Sequence, residues 1–191
     1  MKVNGHGQAS VFSKKDYEKI LLLTPGKNHR MIFRLCYWTA ARMGEVCKLK
    51  TSDVYFRTGK PFDKITYEKG STKTKKTRQI PVSETLKQHL QAYWQEIQPD
   101  YDDFLFPGLI EGTHLQFQSA DDALRRAIKK AGLDDMGYST HSFRRSTATQ
   151  LSRSGIALPV IKQITGHSSL QSLQLYIDTT EDQVLGAIAT L

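Results

Sequence analysis

Residues 141–176 read HSFRRSTATQLSRSGIALPVIKQITGHSSLQSLQLY, and the fold is decided by how this stretch is read. Leu158, Val160, Ile161, Ile164, Leu170 and Leu173 recur at helical spacing on both sides of Gly166-His167-Ser168-Ser169. That pattern predicts short helices joined by a tight turn. Working outward, residues from 116 onward read as helical throughout, punctuated by Gly132, Gly137, Gly155, Pro159 and Gly166. At the other end, Ser13 with Asp16 resembles a capping box, opening a helix through Leu23 that Pro25-Gly26 stops. Residues 28–40 (NHRMIFRLCYWTA) predict a helix with a broad apolar face, and a short helix is expected over 43–50. Residues 54–82 change character: KITYE and RQIPV read as two strands joined by the lysine-rich turn KGSTKTKKT. Ser83 then caps a helix to about Ile97, followed by Pro99 and the loop DYDDFLFPGLIEG. The expected architecture is mainly α (α+β), a helical bundle with a small antiparallel β-sheet. One domain is expected over 13–191, after a flexible lead-in over 1–12.

Composition narrows the function classes. The chain has 191 residues, 39% hydrophobic and 24% charged, which suits one soluble domain with a real core. No apolar run is long enough to span a bilayer, and MKVNGHGQASVF carries no apolar stretch like a signal peptide. Cys36 and Cys47 lie eleven residues apart in a helical region. At the helical rise that is about 16 Å, beyond disulfide reach, so they read as buried thiols of a reduced cytoplasm. No Cys/His cluster suggests a zinc site, and no cofactor is implied. The net charge of +8 fits a polyanionic partner, because lysines and arginines displace the counterions condensed on nucleic acid.

Within the opening stretch, His141 and Arg144 share one helix face, Gly166-His167 begins 22 residues beyond Arg144, and Tyr176 follows His167 by nine. These residue types suit attack on a phosphodiester. An arginine fork grips phosphate bidentately and stays charged, histidines exchange protons near neutral pH, and a tyrosine supplies an oxygen nucleophile. His167 is expected at a helix start, where backbone N–H groups favour anions, and Tyr176 on the helix SLQSLQLYI. Upstream, Arg42 falls in a turn of TAARMGEVCKL with Glu45 one turn along to orient it. Lys73 lies in the hairpin turn, where a flexible amine reaches a leaving oxygen. Lys75, Lys76, Arg78 and Arg145 are candidates for contacts to DNA backbone phosphates.

On Arg42, Glu45, Lys73, His141, Arg144, His167 and Tyr176, the chain resembles the tyrosine recombinase, or phage integrase, family over roughly residues 10–185. The resemblance implies that family's catalytic-domain fold and a site-specific recombinase. Such an enzyme cleaves and rejoins DNA through a covalent 3′-phosphotyrosine, without metal or ATP. It implies that Arg42 and Arg144 grip the scissile phosphate and that His167 bonds it. Lys73 would protonate the leaving 5′-oxygen, His141 would accept the tyrosine proton, and Tyr176 would form the covalent link. Two departures stand out. T-A-A-R replaces the usual T-G-x-R, so Ala40 stands where a glycine is expected. No N-terminal core-binding domain is recognised, which fits either a catalytic-domain fragment or a small single-domain recombinase.

Double-stranded DNA is the expected partner, with a homo-tetramer on DNA and a monomer or weak oligomer without it. A cytoplasmic location is expected, nucleoid-associated when bound, with no membrane association. In the tail, Val184, Leu185, Ile188 and Leu191 recur at helical spacing, suiting either packing on the chain's own core or docking on a neighbouring protomer. Two other readings use the same residues. The helices around GHSS suit a helix-turn-helix regulator without chemistry, and the tyrosine also suits a type IB topoisomerase that relaxes supercoils.

Overall fold

The computed structural model describes residues 8–68, 77–177 and 181–189. Lys73, Lys75 and Lys76 lie outside these. The elements in chain order are α1 (Lys14–Leu23), α2 (Lys27–Thr39), α3 (Met43–Val46), a 3₁₀ turn (Thr51–Asp53), β1 (Lys64–Tyr67) and β2 (Arg78–Pro81). They continue with α4 (Glu84–Ile97), α5 (Phe117–Lys130), a second 3₁₀ turn (Asp134–Met136) and α6 (Thr140–Arg153). α7 (Leu158–Thr165), α8 (Leu170–Gln174) and α9 (Glu181–Ile188) complete the order.

Local chemistry sets most boundaries. Ser13 Oγ accepts the Asp16 N–H and starts α1, and Ser83 Oγ accepts the Leu86 N–H and starts α4. The helix expected over 43–50 is shorter than its sequence suggests. α3 stops at Val46, and Lys50 instead bridges to Phe104 and caps the 3₁₀ turn with Asp53. The four-residue helix forms because Glu45 accepts the Arg42 backbone N–H, closing a capping box.

α2 is the hub of the bundle, packed against α3, α4, α5 and α6. It buries Met31, Ile32, Phe33, Leu35 and Cys36. Each large apolar side chain of that kind contributes about 1.5–3 kcal/mol on burial. α5 presents Ala120, Ala123, Leu124, Ala127 and Ile128 to the same core and keeps Arg125, Arg126, Lys129 and Lys130 outside. Phe143 carries α6 into this core, stacked on Phe33 at 5.2 Å between ring centroids. Cys36 and Cys47 are both buried free thiols. Residues 8–12, read from the sequence as part of a lead-in, are held here. Phe12 is buried against Phe143, and its N–H donates to Ser146 Oγ at 2.8 Å.

A second, smaller cluster joins the last helices: Ala148 of α6, Ile161 of α7 and Leu173 of α8, with Leu151, Leu158, Tyr176 and Ile177 packed around them. The hairpin pairs Ile65 with Ile80 and Tyr67 with Arg78 in antiparallel register. Its alternation turns Ile65, Tyr67, Ile80 and Arg78 toward the body of the protein, leaving Gln79 and Pro81 outside. No helix among the described residues is long and apolar enough to cross a membrane.

Candidate active site

Six of the seven residues singled out lie in the described part of the chain. Arg42 caps α3, and its Nη1 donates to Glu45 Oε1 at 2.8 Å. Glu45 is 3% exposed, so this is a buried carboxylate fixing the arginine's reach rather than a surface ion pair. Two residues before Arg42, Ala40 adopts φ +50°, a left-handed conformation unusual for alanine. That turn aims the Ala40 carbonyl at Arg144, whose Nη1 donates to it at 2.9 Å. Strained residues of this kind cluster at functional sites. The cost of Ala in place of Gly here is on the order of 1–2 kcal/mol.

Arg144 is 2% exposed on α6, yet only Nη1 has a hydrogen-bond partner; its Nε and Nη2 are buried without one. Burial, with Arg42 and then Arg78 beside it, lowers this guanidinium to about 9, which leaves it charged at neutral pH. His141, one turn earlier on α6, is exposed, and its Nδ1 lies 3.2 Å from the Tyr176 hydroxyl. Tyr176 also faces the other groups. Its ring lies 4.6 Å from the His167 ring, and the Arg144 guanidinium carbon lies 6.0 Å from it.

The structure moves two residues off the helices expected for them. Gly166, at φ +68°, ends α7 rather than preceding a helix, and α8 begins later, at Ser169-Leu170. His167 therefore sits in the connecting turn, without a helix N-terminus behind it. Tyr176 follows the end of α8, in a turn held by its N–H to Leu173 O and by Thr149 Oγ1 donating to its own carbonyl. The chain has little to bury just past α8: its C-cap, Leu175, is 60% exposed.

His167 is buried and neutral. Desolvation first, then the charges of Arg144, Arg42 and Arg78, lower its imidazole to about 3. Its Nδ1 lies 2.7 Å from Thr165 Oγ1, and Thr165 gives its hydroxyl hydrogen to Ile161 O. Nδ1 is then the ring donor, and Nε2 is buried with no partner. Three polar atoms of Arg144 and His167 thus lie buried and unanswered beside the phenol ring. Such atoms are costly, at about 1–3 kcal/mol each or more when charged, unless a ligand answers them.

Arg78 and Arg145, expected as contacts to DNA backbone phosphates, are turned inward. Arg78 donates from Nη2 to Glu45 Oε2 at 3.2 Å and from Nη1 to the Thr165 carbonyl, with its guanidinium 5.1 Å over the Tyr67 ring. Arg145 is 7% exposed and donates to Gln8 Oε1, lining a hollow with His141 and Tyr176. The parity of β2 was the available signal for Arg78, since it shares a face with Ile80. Thr165 and Thr149, which orient His167 and the Tyr176 backbone, carried no signal of their own. Among the described residues, no group of three or more His, Cys, Asp or Glu could hold a metal ion.

The chain is 27% identical over 167 residues to a tyrosine recombinase of Pseudothermotoga lettingae, covering 86% of this chain and 55% of that protein. It is also 27% identical over 190 residues to transposase A from transposon Tn554 of Staphylococcus aureus, covering 93% and 51%. It spans about half the length of these curated relatives. Among solved structures, the fold matches XerA recombinase with TM-score 0.74 and 22% identity, covering 96% of this chain and 66% of that one. It matches the catalytic domain of bacteriophage HP1 integrase with TM-score 0.65 and 24% identity, covering 88% and 87%. A pre-cleavage complex of XerH site-specific recombinase bound to difH substrate matches with TM-score 0.72 and 21% identity, covering 97% and 55%. The sequence model of the phage integrase family matches residues 10–183, and the chain belongs to that family.

Proposed function

We propose that this chain is the catalytic part of a site-specific DNA recombinase that cleaves and rejoins strands through a 3′-phosphotyrosine at Tyr176. The observation that carries this reading is the trio of unanswered buried atoms, Arg144 Nε and Nη2 and His167 Nε2, beside the phenol. A phosphodiester oxygen is the acceptor that the two Arg144 N–H groups lack, and the one His167 Nε2 meets once that nitrogen is protonated.

Arg42, held by Glu45, and Arg144, held by the Ala40 carbonyl, grip the nonbridging oxygens. The charge that an anion brings opposes the burial and the cations that keep His167 neutral. His167 then takes a second proton and donates from Nε2 to the phosphate. The Tyr176 hydroxyl attacks phosphorus and its proton passes to His141 Nδ1, 3.2 Å away. One P–O bond forms as the bond to the 5′-oxygen breaks, and that oxygen takes a proton from Lys73. The reverse steps release the tyrosine and join a new 5′-hydroxyl, so the bond is conserved and no ATP is consumed.

Lys75 and Lys76 contact backbone phosphates in this proposal, and each shallows the salt dependence of binding when neutralised. Double-stranded DNA is the partner, and four copies assemble on it. The enzyme acts in the cytoplasm, associated with the nucleoid when bound. The relatives support this reading: the structural neighbour XerH site-specific recombinase was captured bound to its difH substrate.

The test uses nicked duplex oligonucleotides of randomised sequence, on which a cleaved end diffuses away and traps the covalent intermediate. Wild-type protein is expected to give a detergent-stable adduct in EDTA, lost in Tyr176→Phe. A strict magnesium requirement contradicts the mechanism. Relaxation of plasmids lacking any special site assigns the chain to topoisomerase chemistry instead.

A further inference from the structure

Arg78 is a charged side chain near the site that the mechanism above does not use. It is 11% exposed, and both terminal nitrogens of its guanidinium are engaged. One partner, Glu45, is the same carboxylate that holds Arg42 through both its side chain and its backbone N–H. The other is the Thr165 carbonyl at the C-terminal end of α7, two residues before His167. A cation suits that end of a helix, where carbonyls lack partners within the helix.

The chain is built around this contact. Tyr67, directly opposite in the hairpin, lies under the guanidinium, and its hydroxyl lies 2.8 Å from Thr39 Oγ1 at the end of α2. A Cβ placed on Gly166 would come within 2.5 Å of Arg78 Nη1, so glycine there admits the arginine as well as the positive φ. Three separate elements, the α3 cap, the hairpin and the end of α7, therefore meet on one side chain.

We propose that Arg78 is a positioning residue that ties the turn carrying Arg42 to the turn carrying His167, so that both meet one phosphate in register. The inference rests on the recombinase reading for its consequence, but the tether itself is tested apart from it. Amide hydrogen exchange is measured on the free protein. In Arg78→Gln, the Gly166 amide, bonded to Lys162 O at 2.7 Å, is expected to exchange about tenfold or more faster, with α2 amides unchanged. An unchanged Gly166 rate overturns the proposal whether or not the chain cuts DNA.

Single-turnover adduct formation on sequences recovered from the randomised pool then reads the consequence. Arg78→Gln is expected to lower the saturating rate roughly 10- to 100-fold, the scale of a displacement near 1 Å. Affinity and the slope of log affinity against log salt stay at the wild-type values. Arg78→Lys, which keeps the charge but not the fork, recovers part of the rate and carries the same readouts if Arg78→Gln fails to fold. Arg78→Gln combined with Glu45→Gln is expected to lose less than the product of the two separate losses, because both act through one carboxylate. A wild-type rate in Arg78→Gln overturns the proposal. So does a salt slope shallower by about 0.9, the mark of a lost direct phosphate contact. Absence of any wild-type adduct counts against the recombinase reading and leaves the exchange result to decide the tether.

Discussion

His167 concentrates the physical problem of the site in one ring. An imidazole with its ordinary value at 6.5 is held neutral down to about 3 by burial and by three arginines. The unfolded chain therefore binds a proton near pH 6.5 that the folded chain refuses. Stability is full above that value and falls as the pH drops toward 3, with a limiting slope of about 1.4 kcal/mol per pH unit for this one group. Replacing the ring by Gln in His167→Gln removes this dependence. Thermal melts between pH 7.5 and 5 are expected to converge, the wild type losing ground to the variant as acid is added; parallel curves contradict the assignment. The residue types were legible in the sequence because the reaction permits few substitutes for a fork, a ring and a phenol. Their environments were not. Nothing local marks Ala40 as left-handed, and little marks Arg78 as buried, because both follow from contacts made with residues far along the chain, Arg144 in one case and Thr165 in the other. Strand parity held a hint of the second, since Arg78 shares its face with Ile80, but the neighbouring lysines argued for solvent.

Among elements, the helices with strong caps and a wide apolar face were the readable ones. Ser13 and Ser83 start α1 and α4 as expected, and α2 runs through the residues that its periodicity marks. The ends of the short helices were not readable. α3, α8 and the turns around them hold four or five helical residues, too few for periodicity to fix an end. Tyr176 and His167 consequently fall in turns where helix was expected, and those turns rest on the small cluster of Ala148, Ile161 and Leu173. Fewer buried contacts there than around α2 imply a lower opening free energy. Leu173→Ala, at a cost of roughly 2–5 kcal/mol, is expected to speed amide exchange in α7 and α8 while the α2 amides keep their protection. Equal loss of protection in both places contradicts a separately cooperative unit.

At the scale of the molecule, one bundle organised on α2 brings the turn at Arg42, the start of α6 and the turns after α7 and α8 to a common place. The mainly helical class and the small hairpin followed from composition and period. Their convergence followed only from the resemblance, since sequence spacing says nothing of which loops share an end of a bundle. α9 leaves Val184, Leu185 and Ile188 exposed, at 54%, 68% and 64%. If they cover a neighbouring copy in the proposed tetramer, deleting residues 182–191 abolishes cooperative assembly on DNA and spares binding of single copies. Unchanged assembly in a mobility-shift titration refutes that role. In the proposed reaction the hydroxyl beside His141 becomes the covalent link to DNA. Digestion of the trapped adduct, followed by peptide mass spectrometry, locates that link. The predicted result is a nucleotide joined through its 3′-phosphate to the peptide containing Tyr176, with a free 5′-hydroxyl on the released strand. Attachment at any other residue, or through a 5′-phosphate, contradicts it.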